Sequence, residues 1–166
     1  GVDTWQARGL FTGKLPSRVF FGIMEVSDSM DGSWAANPMI FPAAQRKVNY
    51  VNFFVDGQSL MTRPYEPDFE NGNSHRSYMG LLEAIRILNT GKVINIGSEE
   101  FARCYGIFGL DLSADGSQLT RAEQGFFSVE VRFAEKTKKT LFGLLLGEFP
   151  TMLSVDASRN VSVYRI

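Results

Sequence analysis

The run "DLSADG" places Asp111, Ser113, Asp115 and Gly116 at the spacing that opens a calcium-binding EF-hand loop. Such a loop takes side-chain oxygens at its first, third and fifth positions, a glycine at the sixth and a bidentate glutamate at the twelfth. With Asp111 first, the twelfth position is Ala122, and Glu123 lies one residue too far. The flanking segments read as strands, whereas an EF-hand needs helices. The stretch therefore reads as an acidic turn closing a strand, and no metal site is expected there.

Other reactive groups give equally little chemistry. In "NTGKVI" (89–94), Gly91-Lys92 is a fragment of a phosphate loop, but Arg86 stands where the first glycine belongs and no Ser or Thr follows the lysine. His75 is the single histidine, which removes any multi-histidine metal site within one chain. There is no Gly-x-Ser-x-Gly elbow. Cys104 is a lone cysteine in a β-rich run and reads as a structural thiol. Glu66, Asp68 and Glu70 form an acidic loop between Arg63 and Arg76, which reads as an ion-pairing loop, solvated or between subunits. "KTKK" (136–139) is a basic hairpin tip, and "NVS" (160–162) matches a glycosylation sequon. No catalytic grouping or cofactor is expected.

The elements that must carry these residues read mostly as strands. Fourteen Phe and sixteen Gly in 166 residues favour strands and tight turns over helical bundles. Residues 1–16 read as an N-terminal arm and 17–166 as one domain. Strands are expected at 17–25, 104–112, 125–135 and 140–149, the last apolar on both faces and therefore central. Residues 27–46 and 64–75 read as loops. "VNYVNFFVDGQSLMTR" (48–63) predicts a hairpin about Asp56-Gly57. In 125–135, Phe127, Val129, Val131 and Phe133 alternate with Ser128, Glu130 and Arg132, the period of a half-buried strand. Two short strands are expected about a turn at Asp156–Asn160. One helix is predicted over 77–91, with Leu81, Leu82, Ile85 and Leu88 as its apolar stripe, Ser74 or Ser77 as its cap and Gly91 as its end. A further helical turn is expected at 98–103. The fold class is all-β, an eight-stranded jelly-roll sandwich with one inserted helix.

Composition narrows function further. Seventeen basic and eighteen acidic residues give a net charge of −1, with no electrostatic footprint for nucleic acid or an anionic membrane. No apolar run approaches the roughly 20 residues that span a bilayer as a helix. The lone cysteine excludes an intrachain disulfide and is compatible with a reducing compartment. The opening "GVDTW" has neither an initiator Met nor a signal-peptide pattern and reads as a trimmed or processed end.

An ordered set of segments resembles the C-terminal jelly roll of the double jelly-roll major capsid proteins of Maverick/Polinton elements and adintovirus-like viruses. The set comprises Asp56-Gly57-Gln58, Arg63-Pro64, Pro67-Asp68-Phe69, Arg76-Ser77-Tyr78 before a helix, Phe108–Leu112, Glu130–Phe133 and Val155–Val161. It spans about residues 10–165. The resemblance implies a structural capsid protein that forms homotrimers and, through lateral contacts with other capsid subunits, an icosahedral shell in the virion. Those capsid proteins carry two jelly rolls per chain and one is present here. The chain is thus either one half of such a protein or a single-domain relative, intracellular if host-derived. Under this reading the candidate intersubunit contacts are Arg63, Pro64, Tyr65, Pro67, Asp68, Phe69, Arg76 and Tyr78: the aromatics as anchors, the arginines as salt-sensitive partners. A loop folded back on its own sandwich is the alternative. A jelly-roll binding module, lectin-like or protein-recognising, is the competing function, and an exposed aromatic cluster on a concave face would favour it.

Overall fold

The computed structural model describes residues 2–25, 41–43, 47–88, 90–92, 94–113, 124–138, 140–149, 151–156, 159 and 161–165. Asp115 and Gly116 of the acidic turn, Lys139 of the basic tip, Asn160 and most of the loop expected at 27–46 lie outside these residues.

Alternation builds the first sheet. Strand β6 (Gln124–Phe133) turns Phe127, Val129, Val131 and Phe133 inward, each at most 6% exposed. It lies between β1 (Thr4–Lys14) and β3 (Val48–Val55), antiparallel to both. β3 turns back through Asp56 (φ 51°) and Gly57 (φ 80°) into the short β4 (Gln58–Ser59), giving the order β1-β6-β3-β4. Positive φ at both central residues is what a two-residue hairpin with the twist of its strands requires. β1 corrects the expected arm, since the strand begins at Thr4. Its alternation is hidden in sequence by a bulge: the four steps from Ala7 to Phe11 face two on β6, Val129 to Phe127. Gly9 takes the left-handed φ of 65° inside that bulge.

The second sheet has the order β5-β2-β7, from β2 (Arg18–Glu25), β5 (Phe108–Asp111) and β7 (Leu141–Glu148). Strand β5 is shorter than the expected 104–112. The two sheets share one core, in which Val19, Phe21 and Phe108 pack with Val51, Phe53, Phe127 and Val129. Across the interface Trp5 of β1 stacks on Phe21 of β2, centroids 6.1 Å apart. Glycines on the inner face of β7 admit the rings of β1: a Cβ at Gly143 would lie 3.0 Å from Trp5 Cη2, and one at Gly147 2.6 Å from Phe11 Cζ. The result is an all-β sandwich with antiparallel sheets. Strands β8 (Thr151–Val155) and β9 (Val161–Arg165) pair with each other as a separate hairpin.

Helix α1 (His75–Ala84) lies on the outer face of the second sheet, where Gly109 approaches Leu81 and Ala84 closely. It ends well short of the expected residue 91. Arg86 adopts φ 57°, with Arg86 N–H donating to Glu83 O (2.9 Å) and Ile87 N–H to Leu82 O (3.2 Å), the bond pair of a Schellman stop. Ser74 occupies the N-cap position without a side-chain cap bond, and Ser77 is buried inside the helix. A second helix, α2 (Ser98–Arg103), buries Phe101 against Phe108 and Tyr78. β7 corrects another expectation. Among the described residues it is an edge strand, and its double-sided apolar character does not reflect double-sided burial.

Candidate interaction surfaces

The loop between β4 and α1 is drawn onto its own sandwich. Tyr65 is 4% exposed and exchanges backbone hydrogen bonds with Val51 on β3 (2.8 and 2.9 Å), completing that strand's outer edge. Its hydroxyl donates to Gly109 O at 2.6 Å, and its ring packs on Phe108. A Cβ at Gly80 would lie 2.6 Å from Tyr65 Cζ, so a glycine in α1 makes room for the phenol. Burial, with a contribution from the Glu83 charge, pushes the phenol pKa up to about 12. Pro67 is buried, Pro64 half-buried, and half-buried Phe69 packs against the core. Tyr78 donates to Ile96 O at 2.8 Å. The expected anchors Tyr65, Phe69 and Tyr78 are thus engaged within the chain. Arg63, Asp68 and Arg76 remain exposed: Arg63 pairs with Glu66 at 3.7 Å, Arg76 donates to Arg63 O and lies over the Tyr65 ring, and Asp68 accepts from Asn71. The Asn71 hydrogen bonds hold the Asp68 carboxyl below its ordinary range.

The acidic turn has protein partners. Asp111 accepts from Arg86 Nε at 2.9 Å and from Ser113 N at 2.9 Å, and Ser113 also receives Arg86 Nη2 at 2.8 Å. Burial acts to raise the Asp111 pKa, but the Arg86 and Ser113 hydrogen bonds and the Arg86 charge outweigh it and hold the carboxyl low. Arg18 fixes the same corner by pairing with Glu148 and donating to Ala84 O (3.2 Å) at the end of α1. Cys104 is half-buried just after α2, and His75 is exposed at the start of α1.

One side of the sandwich is left open. Both β1 and β7 end their sheets there, and among the described residues no strand pairs with the outer edge of either. Helix α1 covers β5 and part of β2, leaving Leu144 (47% exposed) and Leu146 (62%) bare on the outer face of β7. Between the two edges, Trp5, Ile23, Phe133, Leu141 and Phe142 line an apolar cavity of about 220 Å³. Exposed apolar edges are unusual in isolated domains because they template pairing with another strand.

The outer face of the first sheet is different. Cross-strand register sets Thr4, Arg132 and Tyr50 in one row and Gln6, Glu130 and Asn52 in the next. Phe54 lies opposite Ser128, and Phe126 lies opposite Thr12. Phe126, 62% exposed, is locked by the hairpin: its N–H donates to Asp56 Oδ1 at 3.0 Å, and its carbonyl accepts Asp56 N–H at 3.1 Å. Gln6 Oε1 accepts both Nε (3.2 Å) and Nη2 (2.9 Å) of Arg8, while Glu130 accepts Arg132 Nε at 2.7 Å. Sequence alternation assigned Ser128, Glu130 and Arg132 to a polar face; carrying the same period back to Phe126 would have revealed the ring among them.

The chain matches no protein-family profile and no solved structure. It is similar to the uncharacterized protein F54H12.2 of Caenorhabditis elegans, with 30% identity over an alignment of 161 residues that covers 93% of this chain and 38% of that protein. The chain thus spans well under half the length of this curated relative.

Proposed function

We propose that the chain is a structural, self-associating jelly-roll unit of the kind found in double jelly-roll major capsid proteins, acting through trimeric and lateral contacts between copies. The observation that carries this reading is the edge of β7, unpaired among the described residues, with Leu144 and Leu146 exposed on its outer face. The pairing scheme supports the jelly roll: β2 with β7 in one sheet and β3 with β6 in the other is a long antiparallel hairpin rolled across two facing sheets. Arg63, Asp68 and Arg76 offer a second, charged contact. The particle, its host and the remainder of any longer chain belong to the same proposal.

Light scattering coupled to size exclusion, at low and high salt, tests it. A trimer or larger species is expected. Leu146→Lys lowers its mass while the dissociated chain stays folded, since the side chain is 62% exposed and contributes little to the fold where it stands. If the charged loop dominates instead, Arg63→Glu lowers the mass and salt weakens the association. A monomer under every condition, in this chain and in a longer one, would sink the reading.

A further inference from the structure

The outer face of the first sheet, on the opposite side of that sheet from the core, has no part in the assembly just described. We propose that it binds a neutral saccharide. Its depression holds about 630 Å³ and is lined by Gln6, Arg8, Phe54, Phe126, Ser128 and Glu130, with Asp56 and two glycines at its margins. That volume falls within the roughly 300–1,000 Å³ of small-ligand sites. The bulge in β1 lies at its edge, with Gly9 lining the wall. Bulges recur beside binding sites because they re-aim a side chain and break the flatness of the pleat.

The residue types choose the ligand. Phe126 is 62% exposed on the outward period of β6, and its N–H and carbonyl are both held by Asp56. A phenyl face so presented suits the C–H face of a pyranose, which is apolar in the middle and ringed by hydroxyls. Around it stand a carboxamide (Gln6), a guanidinium (Arg8), a hydroxyl (Ser128) and a carboxylate (Glu130), a mixed set of donors and acceptors that matches groups able to do both. Charge completes the argument. Arg8 stands against Asp56 and Glu130 in the lining, so the depression carries one net negative charge and disfavours nucleic acid, a phosphopeptide or an anionic membrane while admitting a neutral ligand. An apolar ligand would strand the polar groups of this face without partners.

The test uses the intact chain labelled with ¹⁵N and a panel of neutral probes: maltohexaose, cellohexaose, chitotetraose and mannopentaose. At least one is expected to shift the amides of Gln6, Arg8, Phe126 and Ser128 in a saturable manner. Phe126→Ser, on an exposed ring, keeps the folded spectrum and weakens that binding at least tenfold. Repeating the titration in Leu146→Lys separates this inference from the assembly reading, because the saccharide shifts persist there. No saturable shift with any probe at millimolar concentration would overturn the proposal, as would undiminished binding by a folded Phe126→Ser protein.

Discussion

Tyr65→Phe asks whether the loop at 63–78 belongs to the sandwich or to a neighbour. The substitution keeps the ring and its packing on Phe108 and removes one buried hydrogen bond, the 2.6 Å contact to Gly109 O. Deleting one partner of a buried pair costs about 1–3 kcal/mol, and for a chain of this size each kcal/mol lowers the melting temperature by about 2–4 °C. A loss of roughly 4–8 °C is expected for a cost near 2 kcal/mol, with a matching fall in urea midpoint and no change in slope. The phenol also gives the effect a pH signature. Its pKa is raised by burial from 10.0 to about 12 in the folded chain. Its stabilising contribution is therefore complete below pH 10 and is lost as pH rises, because the unfolded chain ionises first. Two pH units correspond to about 2.7 kcal/mol. The Phe variant has no such loss, so the difference between the two proteins should shrink from pH 9.5 to pH 11 and close near pH 12. Urea melts at several pH values, repeated at protein concentrations about twentyfold apart, give the assay. An unchanged midpoint at neutral pH, or a loss appearing only at high concentration, would refute the intrachain docking of Tyr65.

Three other outcomes follow from the Arg86–Asp111 corner. Arg86→Ala and Arg86→Gly both remove the ion pair, but only glycine relieves the left-handed backbone, so the glycine variant should be the more stable by about 1 kcal/mol in chemical denaturation. Asp111 is held below its ordinary 3.8, so its contribution is present above that value and lost as pH falls through the lower folded pKa; acid titration of Arg86→Ala should show a flatter loss than the parent. Calcium at millimolar concentration should leave the melting temperature unchanged, because Arg86 and Ser113 already occupy the Asp111 oxygens. A rise of several degrees would reopen the acidic turn as a metal site.

What the sequence determined by itself was local. Alternation in β6, the Asp-Gly turn after β3 and the short pair β8–β9 are written in neighbouring residues, because side-chain period and turn φ are properties of a few consecutive positions. Tertiary structure decided whatever depended on a partner distant in the chain. β1 is a strand because β6 pairs with it across a bulge that breaks its pattern. Helix α1 stops at Arg86, a residue without glycine's freedom, because Asp111 and Ser113 hold the guanidinium on the far side of the turn. Tyr65 faces inward because Gly80 leaves space for it and Gly109 offers an acceptor. The apolar run of β7 looks central in sequence, yet among the described residues it pairs with β2 alone and ends its sheet, and helix α1 packs over β5 and leaves the outer face of β7 bare. Hydrophobicity states only that a face should be covered; which element covers it, and which face waits for a partner, is fixed by the packing of the whole chain.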